Sequence, residues 1–323
     1  MKAYVLGSDG PSISDIPQPK PAGAQVLVRI RAACLNRADL GMAKGRAHGS
    51  RGGTGTVLGG EGAGEVVEVG PDAKGVKVGD RVMGSLNGAF AEYGLMDAGR
   101  AFQTPANNMS YEQAATLPVA LNTMHNAVLT AGPLEPGQSV LIQGASSGVG
   151  LMAMKIAKLK GAKLVIGTST DAGRRARLKE HGADLALDTT SSGWVDEVMK
   201  ATDNEGVDLI VDQVSGKLAN DNLRATKIEG RIVNVGRLGG MHGDFDFDLH
   251  ALRRIKYIGV TFRTRTREEI VAIADGVRRD LWDDVVSGKL SLPIDKSFAL
   301  TEADDAYSYM TANKHFGKIV LRM

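Results

Sequence analysis

Apolar positions in the first hundred residues come in short runs. "AQVLVRIRAA", "GEVVEVG", "DRVMGSL" and "AFAEYGLM" are each bounded by Gly, Pro or Asp. Runs of that length between turn residues predict β-strands, and their close spacing predicts a small barrel or sandwich. "HGSRGGTGT" (48–56) has no periodicity and is expected to be a mobile loop. The pattern changes near residue 110. "SYEQAATLPVALNTMHNAVLTAG" is helical in character, interrupted at Pro118. Strand-like runs then follow: "SVLIQG", "KLVIGT", "DLALD", "VDLIVDQV", "GRIVNVG" and "KYIGVTF". Between most of them lie amphipathic stretches such as "GLMAMKIAKLKG" and "SGWVDEVMKAT". This alternation predicts a parallel, doubly wound sheet of six strands. A polar helix, "TREEIVAIADGVRRDLWDDVVSGKL", and an apolar strand, "GKIVLRM", complete the pattern.

The 323 residues are enough for about two domains. Hydrophobic residues make up 43%, so a large core is possible. A net charge of +2 gives no electrostatic case for a nucleic-acid or membrane partner. The single cysteine, Cys34, rules out an intrachain disulfide and a cysteine-rich metal lobe. "MKAYVLGSDGPSISD" lacks the apolar centre of a signal peptide, and no run approaches the ~18 apolar residues of a membrane span. A cytoplasmic location is expected.

"QGASSGVG" (143–150) lies between a strand and a helix, the context that gives a glycine pattern meaning. Gly144 permits a tight turn, Gly148 lets backbone approach a pyrophosphate, and Gly150 lets the helix pack close to the strand. With Ala145, Ser147 and Val149 they form a candidate dinucleotide cradle, the helix N-terminus offering N–H groups and partial positive charge. An ordinary glycine-rich turn is the alternative. NAD-binding proteins end the next strand with an acid that bonds the ribose 2′-OH. Here that position is Thr168, followed by Ser169, Thr170, Arg174 and Arg175. Hydroxyls plus a guanidinium suit a 2′-phosphate, so the cofactor is expected to be NADPH. Asp171, just past the strand, points the other way.

"GASSGVG" alone resembles the short-chain dehydrogenases, but no tyrosine here has a lysine four residues on. The whole chain instead resembles the medium-chain dehydrogenase/reductases, in their quinone oxidoreductase (zeta-crystallin-like) branch. The markers are "LNRADLGMAKG" (35–45), "LGGEGAGEVVEVG" (58–70), "VGDRVMG" (78–84), "AATLPVALNT" (114–123), the glycine turn and "HFGKIVL" (315–321). The resemblance implies an α/β protein: a GroES-like β-barrel substrate domain over 1–122 and 263–323, and a six-stranded Rossmann domain over 123–262.

Zinc members of that superfamily use a Cys and the His of a Gly-His-Glu as ligands. Asn36 and Gly60 stand at those positions, and Glu61 alone cannot hold a tetrahedral zinc. No metal is expected. Without that Lewis acid the resemblance implies hydride transfer to an easily reduced acceptor, a quinone or an α,β-unsaturated carbonyl. A zinc-independent ketone or alcohol oxidoreductase is the rival. An NADPH-binding protein with little catalysis, structural or RNA-binding, is the second. For the RNA reading, "RRIK" (253–256) with Arg263, Arg265 and Arg267 is the cluster to cite, and Tyr257 and Phe262 are expected to be buried. Asn36 is the first candidate to bond the cofactor ribose or the substrate carbonyl. Arg46 and His48 are candidate donors or substrate clamps where many relatives place a tyrosine. Thr123 matches a family position beside the nicotinamide. Gly236 follows the fifth strand, Phe262 ends the sixth, and Asn313 and Lys318 resemble family cofactor contacts. The edge strand 256–262 is expected to pair two subunits into a homodimer.

Overall fold

The computed structural model describes residues 1–49, 51–105 and 109–323. They form two compact units, residues 1–120 with 262–323, and residues 121–261. In the first, β1 (Lys2–Gly7) and β2 (Gly10–Asp15) make an antiparallel hairpin. β3 (Gln25–Cys34), α1 (Arg37–Ala43), β4 (Glu61–Val69), β5 (Arg81–Asn87), β6 (Tyr93–Asp97) and β7 (Phe102–Gln103) follow. β3 pairs with β4 on one side and with β6 on the other, while β4, β5 and β6 complete the circuit. The sheet therefore closes into a barrel, which removes its edges. Val26, Val28, Ile30, Leu58, Phe90 and Met96 fill its interior.

The stretch expected to be a mobile loop is tied at several points. His48 and Arg51 bridge each other, and residues 55 and 56 exchange hydrogen bonds with Leu6 at 2.8 and 2.9 Å. Arg51 Nη2 donates to the Gly59 carbonyl at 2.5 Å. An aperiodic sequence conceals these ties because backbone groups and one long side chain make them.

α2 (Tyr111–Ala115) is followed by α3 (Pro118–Met124). Pro118 opens α3, where a missing N–H costs nothing. The second unit then contains β8 (Ser139–Ile142), α4 (Gly148–Leu159), β9 (Leu164–Thr168), α5 (Ala172–Arg177) and β10 (Leu185–Leu187). After these come α6 (Trp194–Ala201), β11 (Val207–Asp212), α7 (Ala219–Ala225), β12 (Thr226–Asn234), α8 (Phe247–Arg253) and β13 (Lys256–Gly259). The strand order is β10-β9-β8-β11-β12-β13, all parallel. The sheet grows outward both ways from β8 and β11, so the crevice at their carboxyl ends is the switch point where ligands bind in such folds. Leu141, Ile166, Trp194, Ile210 and Ile232 form the core of this unit.

The sixth strand is shorter than expected, four residues in place of 256–262. Its partner β12 ends at Asn234, paired with Gly259, so the ladder has nothing further to bond. Phe262 lies past it, in the first unit, with the Arg265 guanidinium 5.9 Å from its ring centroid. Tyr257 is 38% exposed rather than buried. The basic run is largely spent on the protein: Arg253 donates to the Thr226 carbonyl, Arg254 pairs with Glu229 and Arg267 with Asp97.

The chain returns through α9 (Arg267–Val286), opened by a Thr266–Glu269 capping box, then β14 (Ile294–Ala299), α10 (Ala303–Thr311) and β15 (Lys318–Arg322). β15 lies antiparallel to β3, with Val320 opposite Cys34. That register delivers Lys318 to the start of α1. Among the described residues no helix is long and apolar enough to cross a membrane.

Candidate functional site

In the second unit the chain turns between β8 and α4. Gly144 has φ +68°, and its N–H donates to Thr168 Oγ1 at 3.0 Å. Ser147 caps α4, its Oγ accepting from Gly150 N at 3.1 Å. A Cβ on Gly150 would lie 2.7 Å from Ala145 Cα and from the Gly144 carbonyl, so only glycine lets the helix start this close. The Ala145 N–H is held by the Thr168 carbonyl. Among the described residues the Gly148 and Val149 N–H groups receive no protein acceptor, which leaves two donors at the positive end of a helix for an anion. The turn fits a dinucleotide pyrophosphate.

Beneath it runs a buried polar chain. Thr168 Oγ1 donates to Gln143 Oε1 at 2.8 Å, Gln143 Nε2 to Asn222 Oδ1 at 2.8 Å, and Asn222 Nδ2 to Asp212 Oδ2 at 3.1 Å. Burial raises the Asp212 pKa, and the Val214 and Ser215 N–H groups oppose that shift. This alters the part given to Thr168: its hydroxyl braces the turn from below. Ser169 is buried, its Oγ 3.3 Å from Ser146 Oγ, while Thr170 is exposed. Arg175 pins the Ser169 carbonyl to Asp188. Arg174 lies on the first turn of α5, its Nε 3.7 Å from Asp171. Gly236 packs its backbone on Gln213, where a Cβ would come within 2.7 Å of the carbonyl. Thr123 is partly exposed at the end of α3, ahead of a buried π-helical turn, His125–Ala131. Such turns collect at functional sites and leave no sequence signal.

In the first unit, Lys318 and Glu61 form an ion pair with side chains 4% and 0% exposed. Lys318 Nζ also donates to Asn36 Oδ1 at 3.0 Å, while Asn36 Nδ2 donates to Glu61 Oε1 at 2.8 Å. The Val119 N–H takes Glu61 Oε2 at 2.8 Å. Burial works against the lysine's charge, but Glu61 and its neighbours hold its pKa above the ordinary value. The expected cofactor contact at Lys318 is thus an internal cation, and Asn36 is partly consumed by the same pair. Asn313, at φ +55°, accepts from Arg37 instead. Arg46 is exposed; His48 is half-buried, its pKa lowered by burial and by Arg263 and Arg51. Sequence reasoning passes over Asp39, Arg51 and Tyr307. Asp39 accepts from the Asn36 N–H at 2.7 Å, and burial pushes its carboxyl up to about 6.

Residues 22–106 match the family described as alcohol dehydrogenase GroES-like domain, and residues 148–275 that described as zinc-binding dehydrogenase. The two matches fall in order on a closed barrel and a six-stranded parallel Rossmann sheet. The chain belongs to the medium-chain dehydrogenase/reductase superfamily. A phenolphthiocerol/phthiocerol polyketide synthase of Mycobacterium tuberculosis is 30% identical over 97% of this chain, which spans 14% of that protein's length. A 2-methylene-furan-3-one reductase of Solanum lycopersicum is 35% identical over 57% of this chain and 49% of its own. A mycobacterial structure in complex with NADPH is 27% identical with a TM-score of 0.87, covering 100% of both chains. The superfamily includes zinc enzymes, but this donor set does not fit that metal. Glu61 already carries an ammonium, Gly60 offers no ligand, and burial drives the Cys34 thiol far above its usual range.

Proposed function

We propose that this oxidoreductase is an NADPH-dependent, zinc-independent reductase of conjugated carbonyls, quinones or enones. The observation that carries the reading is the Lys318–Glu61 pair. It neutralises, from within the chain, the one carboxylate left of the superfamily's metal site. Removing hydride from an alcohol needs its hydroxyl deprotonated, which in the superfamily's zinc enzymes is the work of the metal. A conjugated carbonyl is electron-poor already and accepts hydride without one. The relative named as a 2-methylene-furan-3-one reductase supports this substrate class.

The bound nicotinamide would supply the hydride. The Gly148 and Val149 N–H groups would hold its pyrophosphate. NADPH over NADH is supported by the absence of a carboxylate at the end of β9, by Arg174 nearby and by the NADPH complex of the mycobacterial relative. The test is NADPH oxidation against a panel of quinones, enones, and saturated ketones and aldehydes. Conjugated acceptors should be reduced and saturated ones left alone. Turnover confined to saturated carbonyls would select the rival reading.

A further inference from the structure

Building on that reading, we infer that Arg51 is the cation that receives the carbonyl oxygen of the substrate. Hydride addition to the β carbon of an enone forms a C–H bond and moves the π pair onto oxygen. The resulting enolate then takes a proton from water to give the saturated carbonyl. The oxygen is where charge develops, so a preorganised cation or donor set belongs beside it.

A neighbouring cation of the first unit is already spoken for. Lys318 is buried, and its ammonium is committed to Glu61 and Asn36. The His48 ring favours its neutral form, held there by burial and two arginines. Arg51 differs from both. Its guanidinium is partly exposed, and its single hydrogen bond among the described residues runs from Nη2 to the Gly59 carbonyl. One fixed contact orients the group, and most of its five N–H donors remain for a ligand. A Cβ on Gly60 would stand 3.3 Å from Nη1, so glycine at 60 leaves the guanidinium its place. Burial works against the arginine's charge and lowers its pKa, while Asp39, close by, favours the charge and offsets part of that shift. Tyr307, only 8% exposed, adds a hydroxyl with no hydrogen-bond partner among the described residues, and Arg51 and Asp39 both act on it electrostatically. The Gly59 carbonyl takes one guanidinium donor, and the Tyr307 hydroxyl has no partner among the described residues, which leaves donors for a ligand oxygen.

Three variants test this: Arg51→Met, Arg51→Lys and Gly60→Ala, which crowds the guanidinium without removing it. Each is measured for kcat and KM on an enone, for NADPH affinity by fluorescence, and for binding of p-nitrophenolate, an enolate-like anion whose absorption reports its surroundings. Arg51→Met should lower kcat on the order of 100-fold, abolish the phenolate shift and leave NADPH affinity within about twofold. Arg51→Lys should recover about tenfold of the loss, since charge returns without the fork. Gly60→Ala should weaken phenolate binding with the arginine still present. The inference is overturned if Arg51→Met, or Gly60→Ala should the former fail to fold, keeps kcat and the phenolate shift, or if NADPH affinity falls in step with kcat. A wild-type protein inert towards every conjugated carbonyl would overturn the preceding reading and this one with it. Reduction by wild type and Arg51→Met alike would sink only this one.

Discussion

At the scale of single residues, the site is governed by where charge is left and where it is cancelled. Lys318→Met would leave Glu61 as a buried, uncompensated carboxylate, a change worth about 3–5 kcal/mol of stability. Adding Glu61→Gln should return most of it, because the amide needs no counter-charge. Chemical denaturation of the two variants checks this, and equal instability in both would contradict it. Asp39 makes a second prediction. Its carboxyl titrates near 6 in the folded protein, above its ordinary value of 3.8. The folded state therefore holds that proton to a higher pH than the unfolded chain, and stability falls as pH rises from about 4 to 6. Melting temperatures across that window should decline less in Asp39→Asn than in wild type. In the NADPH-dependent reading proposed above, Arg174 would carry the cofactor preference. A charge-assisted hydrogen bond to phosphate contributes about 1.5–3 kcal/mol, so Arg174→Ala should lose one to two decades of NADPH affinity and spare NADH. Parallel titrations with the two cofactors decide it.

At the scale of elements, the alternation of strands and helices after residue 138 is legible because each run carries its own period. So is the close packing at Gly150, which depends on neighbours in sequence. Contacts made across the fold are not. Glu61 reads as a leftover ligand until β15 brings Lys318 to it from 257 residues away. Thr168 occupies the position of a ribose acid, yet its direction is set by Gln143, just past the adjoining strand. Arg51 lies in an aperiodic glycine-rich stretch, and its orientation depends on the carbonyl of Gly59 and the bare Cα of Gly60. The end of β13 falls earlier than its residues suggest because an apolar run says nothing about where its partner strand stops.

For the whole molecule, we propose a homodimer through β13, the last strand of the sheet order. Beside this edge α8 exposes Phe247 at 76% and Leu252 at 71%, more apolar surface than a lone helix normally leaves to water. Val260 already donates inward to the Asn234 carbonyl, so Ile258, two residues earlier, faces the same neighbour and Tyr257 and Gly259 face out. Light scattering should give about twice the chain mass of 34.0 kDa, and Phe247→Asp with Tyr257→Asp should halve it. A wild-type particle of 34 kDa would refute the proposal. The pairing of Glu61 with Lys318 also has a consequence in time. A ribosome makes Glu61 long before Lys318, and the whole second unit, residues 121–261, emerges between them. Until β15 is translated, the first unit lacks the strand that flanks the end of β3 and holds a stranded carboxylate, while the second has every strand it needs. The inserted unit should therefore mature first on the nascent chain, and the unit begun earliest should be completed last.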